Sequence, residues 1–171
     1  MGNCFMDSMD KYVDEKPIVL FKKAEKNIAG IIGLLNDKSV PEDTHYENIC
    51  FNATQAVEKY LKGYVIDNNE KVKKIHNLDT INEITCNINV KFKEIKEECA
   101  KLNNYTADIR YSDKHEIEKH EVIDILKCLN KIYNFEPIIS MREKFKKQDG
   151  FSVYNNYEFL ERYKFKKKER K

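Results

Sequence analysis

The chain has 171 residues, of which 41% are hydrophobic and 35% charged. That suits one domain with a packed interior, excludes two ordinary domains, and leaves no apolar run near the roughly 20 residues a membrane-spanning helix needs. The formal net charge of +2 hides an asymmetry: residues 142–171 hold 11 basic and 5 acidic residues, and residues 1–141 hold 20 basic and 24 acidic.

The dominant apolar period is helical. Pro17 suits the first position of a helix, where its missing N–H is not needed. Phe21, Ala24, Ile28, Ile31, Ile32 and Leu35 then recur at three- to four-residue spacing, so a helix is expected over 17–36, ended by Asn36-Asp37. Ser39 and Glu42 read as a capping box with Pro41 inside it. A second, long helix is expected from there to about Ile66, with Ile49, Cys50, Ala53, Val57, Leu61, Tyr64 and Val65 on its apolar face. Asp67-Asn68-Asn69 stops it.

A shorter helix fits 77–85, opened by His76 with Asn77 as its cap. A fourth uses Phe92, Ile95, Cys99, Leu102, Tyr105 and Ile109. A fifth starts near Ser112 or Asp113, both good N-caps, and carries Ile117, Val122, Ile125, Leu126, Leu129 and Ile132. Pro137 breaks it, with a short helix over 137–147, and Asp149-Gly150 marks a turn. No window sustains β alternation. The expected fold is all-α: an antiparallel bundle of four to five helices over 1–148, followed by a basic-aromatic C-terminal segment over 149–171. Five cysteines without a C-x-x-C pair argue against a disulfide framework or a thiolate zinc site. No signal peptide is recognisable, and the expectation is a soluble, cytoplasmic protein.

Two groups of residues stand out chemically. Gln55, Glu58 and Lys62 are spaced three and four apart, so they share one face of the second helix. Composition favours reading that face as solvated, with a Glu58–Lys62 pair contributing a few tenths of a kcal/mol. The second group is Arg110-Tyr111-Ser112-Asp113-Lys114-His115. Of 31 basic residues only four are Arg, and Arg110 precedes the other three, Arg142, Arg162 and Arg170. A planar, bidentate guanidinium suits phosphate or a buried carboxylate. It equally suits a strut between two helices. His115 titrates near neutral pH and is a candidate acid or base. His115 and His120 fall about 140° apart on a helix, which does not make a metal site. No phosphate-binding loop, dinucleotide fingerprint or nucleophile elbow is present. No metal or cofactor is expected. In the tail, Phe151, Tyr154, Tyr157, Phe159, Tyr163 and Phe165 interleave with charge and end in a Lys run. Rings packing on the bundle explain the aromatics. The Lys run suits loose contact with RNA.

Cys50-Phe51, Gln55-Ala56-x-Glu58-Lys59-x-Leu61-Lys62, His76-Asn77-Leu78, then Leu102, Tyr105 and Arg110-Tyr111 match, in order and spacing, a known pattern. Over roughly 17–135 the chain resembles HEPN-domain proteins (higher eukaryotes and prokaryotes nucleotide-binding). The resemblance implies a compact helical domain that usually dimerises. Many members are metal-independent endoribonucleases with an R-x4-6-H motif, found in toxin–antitoxin and defence systems. Others bind nucleotides or pair with small nucleotidyltransferases. Carried over, the motif falls on Arg110 and His115 as the catalytic pair. Gln55, Glu58, Lys62 and Tyr111 are expected to line the cleft for nucleotide or RNA. Two departures stand out. Nuclease members usually have a polar residue after the Arg, whereas Tyr111 follows here, as in an Arg-Tyr-Pro subfamily with Ser112 in place of Pro. Glu116 stands where a variant modified by its partner nucleotidyltransferase has Tyr.

Overall fold

A computed structural model describes residues 11–106 and 116–149. Six α-helices lie among the described residues: α1 Pro17–Asn36, α2 Tyr46–Asp67, α3 Leu78–Ile88, α4 Lys96–Asn103, α5 Lys119–Tyr133 and α6 Glu136–Asp149. Two 3-10 turns, Glu42–His45 and Val90–Ile95, lead into α2 and α4. The all-α class is as expected, and Tyr12 opposite Lys73 is an isolated β-bridge.

The order of packing follows from burial. α1 lies along α2 as the most extensive helix pair, and α2 also touches α3, α4, α5 and α6. Thirteen of the 22 residues of α2 are buried. Gly30 on α1 faces Asn52 of α2, and Gly63 on α2 faces Pro17 and Leu20 of α1, which lets the two backbones approach. Asn27 adds a polar seam: its amide donates to Asn52 (2.7 Å) and its oxygen accepts from Lys59 (2.6 Å). Phe92 packs under Tyr64 and, edge-on, against Phe135, and Phe21 stacks on Phe145.

The helix ends show how local sequence sets the boundaries. Asn69 takes φ 62° just past α2. Its N–H donates to the Ile66 carbonyl and that of Glu70 to the Val65 carbonyl, a Schellman closure that asparagine tolerates. Asn77 caps α3 as expected, accepting from the Thr80 N–H at 2.9 Å. Pro137 occupies the first turn of α6, where no N–H is required.

Three expectations at helix ends are corrected. Ser39 does not form a capping box with Glu42. Its N–H and hydroxyl both donate to Asp37 (2.8 and 2.6 Å), whose other oxygen meets His45 Nε2 at 2.8 Å. Asp37 offers two short acceptor contacts close by, and the 3-10 turn before α2 has no side-chain cap. The fourth helix ends at Asn103, so Tyr105 lies beyond it. The fifth begins at Lys119, leaving Ile117 outside it, because Glu121 reaches back to accept the Glu118 N–H (2.8 Å). Ile109, Ser112 and Asp113 lie outside the described residues, as do Cys4 and the tail from Gly150.

A buried polar cluster joins the last helix to the first. Glu25 of α1 is buried and accepts from Tyr60 Oη (2.5 Å) and Arg142 Nε (2.7 Å). Arg142 lies over the Tyr133 ring, 3.6 Å from its centroid, and also donates to the Tyr133 hydroxyl. Burial and the adjacent Glu25 charge push the Tyr60 phenol well above its usual range, so it stays a donor. Arg142→Met leaves the Glu25 carboxylate buried without its cation and is expected to cost about 3 kcal/mol. In urea unfolding, Glu25→Met with Arg142→Met should cost less than the sum of the singles, with a coupling of about 2 kcal/mol. The Asp37 carboxyl, held by Ser39 and His45, is lowered from 3.8 to about 2. The unfolded chain therefore takes up this proton first as pH falls. The stabilisation is complete above pH 4 and is lost as pH falls through about 2. Asp37→Asn should flatten the fall in urea midpoint across that window.

Candidate functional site

Helix α2 positions the first group of candidates, and the structure brings Gln55, Glu58 and Lys62 together. Their surroundings differ from the solvated face that composition suggests. The side chains of Glu58 and Lys62 are each only 6% exposed, with Lys62 Nζ 2.6 Å from Glu58 Oε1. Glu58 is also reached from outside α2, by the stretch leading into α3. Gln55 Nε2 donates to Glu58 Oε2 at 3.3 Å.

The fourth member of this cluster is His76, which sequence reasoning assigned only to the opening of α3. Its Nδ1 stands 3.1 Å from both Glu58 oxygens. A carboxylate only accepts, so Nδ1 carries the proton and Nε2 is left outward. The His76 side chain is 67% exposed. A buried carboxylate thus orients an exposed imidazole, the arrangement that fixes a tautomer in many polar sites. One signal was visible beforehand: Glu58 and Lys62 sit within one helical stretch of Ala53, Val57, Leu61 and Val65. A charge that close to a core stripe is buried if anything covers it.

The cluster is continuous with the end of α4. Two residues beyond His76, the Leu78 N–H donates to Asn103 Oδ1 (2.8 Å), and Asn103 Nδ2 donates to Asp79 Oδ2 (3.3 Å). Thr54, one turn before Glu58, donates to the Leu102 carbonyl at 3.1 Å while also bonding its own helix at Cys50. Tyr105 Oη then donates to Glu121 Oε1 (2.7 Å), tying the end of α4 to the start of α5. Burial and the Glu121 hydrogen bond hold the Tyr105 phenol well above its usual range. Arg110, Tyr111 and His115 fall between these two tied positions in sequence, and lie outside the described residues.

Other chemistry is sparse. Cys50, Cys86, Cys99 and Cys128 are free thiols. Burial pushes Cys50 and Cys99 up to about 12, so they are packing groups rather than nucleophiles. Among the described residues no His, Cys, Asp or Glu cluster could hold a metal ion, and no helix is long and apolar enough to cross a membrane. Glu58→Gln removes the charge partner of a buried ammonium and is expected to destabilise by about 3 kcal/mol. His76→Asn, exposed at its outer edge, should cost less than about 1 kcal/mol. Thermal and urea unfolding of the two variants check the ordering.

No curated protein and no solved structure matches the chain significantly. The model of the HEPN domain matches residues 19–139. That span runs from α1 into α6 and contains the α2 cluster, the Asn77-capped helix and the α4–α5 junction with its R-x4-H sequence. With most of its length matched and its helices in that order, the chain belongs to the HEPN domain family.

Proposed function

We propose that the protein is an endoribonuclease that works as a homodimer, with Arg110 and His115 of both copies converging across a two-fold axis. The observation that carries this reading is the R-x4-H spacing at the α4–α5 junction of a HEPN domain. Supporting it, Tyr105 and Glu121, which flank that sequence on either side, are tied to one another.

In this mechanism Arg110 holds the scissile phosphate and offsets the charge that develops on its oxygens. His115 takes the proton from the ribose 2′-OH, or returns one to the leaving 5′-oxygen. The 2′-oxygen bonds to phosphorus as the P–O5′ bond breaks, giving a 2′,3′-cyclic phosphate and a 5′-hydroxyl. Balance requires neither metal nor cofactor. Gln55, Glu58, Lys62 and Tyr111 are assigned to the surrounding nucleotide or RNA contact. Since Glu58 and Lys62 neutralise one another, Gln55 is the uncharged polar member of that group on α2. A toxin–antitoxin or defence setting fits such an activity.

A second reading is favoured by Tyr111, which replaces the polar residue usual after the Arg. The domain would then bind a nucleotide or partner, such as a small nucleotidyltransferase, without cutting RNA. Cleavage of single-stranded and structured RNA in EDTA separates the two. The wild type should cut and leave cyclic phosphate ends, and His115→Ala or Arg110→Ala should slow it about 10²- to 10⁴-fold. Equal cleavage by wild type and His115→Ala, or none by either, sinks the ribonuclease. Sedimentation as a monomer at tens of micromolar would remove the dimeric site.

A further inference from the structure

The stretch between α2 and α3 is pinned to the start of the described chain. The Val13 N–H donates to the Val72 carbonyl and the Lys74 N–H to the Lys11 carbonyl, both at 2.9 Å, around the antiparallel Tyr12–Lys73 pair. Val72 is buried and Tyr12 half-buried. Lys71 Nζ lies 5.8 Å from the centre of the Tyr12 ring. Lys11, Lys71, Lys73 and Lys74 are all exposed. None has a carboxylate partner among the described residues; Lys16, Lys26, Lys38, Lys93, Lys96 and Lys101 are likewise exposed and unpaired there, but are not gathered on one short bridge. Asp14 and Glu70 are the nearby exposed acids, and Glu15 is engaged by Lys23. The same stretch then delivers His76, with its outward Nε2, and reaches the end of α4 through Leu78 and Asn103.

We propose that Lys11, Lys71, Lys73, Lys74 and His76, with the Tyr12 ring, form a ledge that binds the backbone of single-stranded RNA beside the α4–α5 junction. This rests on the ribonuclease reading for its purpose, since it supplies the strand on which Arg110 and His115 act. The chemistry is specific to a polyanion with exposed bases. Unneutralised ammonium groups gathered around one antiparallel bridge meet successive phosphates, and a half-buried aromatic among them offers a stacking face. The ledge also answers the charge problem of the body, whose net charge over residues 1–141 is −4. Such a body holds RNA only where its cations are grouped and free of carboxylates.

The test uses the full chain and a fluorescent 2′-O-methyl oligoribonucleotide, single-stranded or annealed, which no 2′-OH mechanism can cut. Anisotropy is read across a salt series for the wild type, for K71Q/K73Q/K74Q and for K71E/K73E/K74E. The C-terminal Lys run is common to all three proteins, so differences report the ledge. Loss of about three phosphate contacts should weaken single-strand binding at least tenfold at low salt and make the log–log salt slope shallower by about 2 in the Gln variant. An unchanged affinity and slope in the Gln variant overturns the ledge, even if the Glu variant is impaired by repulsion. Equal wild-type affinity for the duplex overturns the single-strand assignment. Because the probe cannot be cleaved, these outcomes stand whichever way the His115→Ala cleavage assay falls.

Discussion

A helix with 13 of 22 residues buried needs cover on most of its circumference, and that demand organises this molecule. α1 covers one side of α2 along its length, while α3, α4 and α5 close the others, and α6 reaches it near Gly63 through Met141. Covering such a helix also forces polar positions inside. Thr54, Glu58 and Lys62 are buried on it, and each is met by a specific partner. Lys62 pairs with Glu58 within α2, while Thr54 meets Leu102 of α4 and Glu58 meets His76 ahead of α3, so polar contacts help to decide which element lies where. Hydrophobic burial is non-directional and could not do that alone.

The same logic explains why two buried carboxylates have different neighbours. Glu25 is matched by Arg142 and Tyr60, and Arg142 in turn by Tyr133, a cluster that fastens α6. Glu58 is matched by a lysine inside, a glutamine on the flank and a histidine whose far edge meets solvent. The first arrangement joins α1, α2, α5 and α6 through buried groups. The second leaves one ring nitrogen facing outward from a fixed position. That asymmetry separates a structural charge pair from one that also shapes a surface.

Apolar spacing made much of the fold legible. α1 was bounded correctly by Pro17 and Asn36-Asp37, and α3 by Asn77, because those signals act within one turn. The errors arose where a competing local contact won: Asp37 took the Ser39 hydroxyl, and Glu121 started α5 several residues later than Ser112 or Asp113 would have. The burial of Glu58 and Lys62 was legible only in their closeness to the apolar stripe, since what meets Glu58 comes from 18 positions away. The pairing of Glu25 with Arg142, 117 positions apart, left no periodic trace. For the site, the sequence marked Gln55, Glu58 and Lys62 as a unit but treated His76 as a helix opener, because a hydrogen bond across 18 positions has no local signature.

The clasp between Tyr105 and Glu121 has a consequence for how this domain tolerates change. The tie is made by side chains outside the stretch from Arg110 to His115, so a substitution within that stretch does not remove it. The end of α4 and the first turn of α5 keep a common point of reference while the residues assigned to the chemistry change.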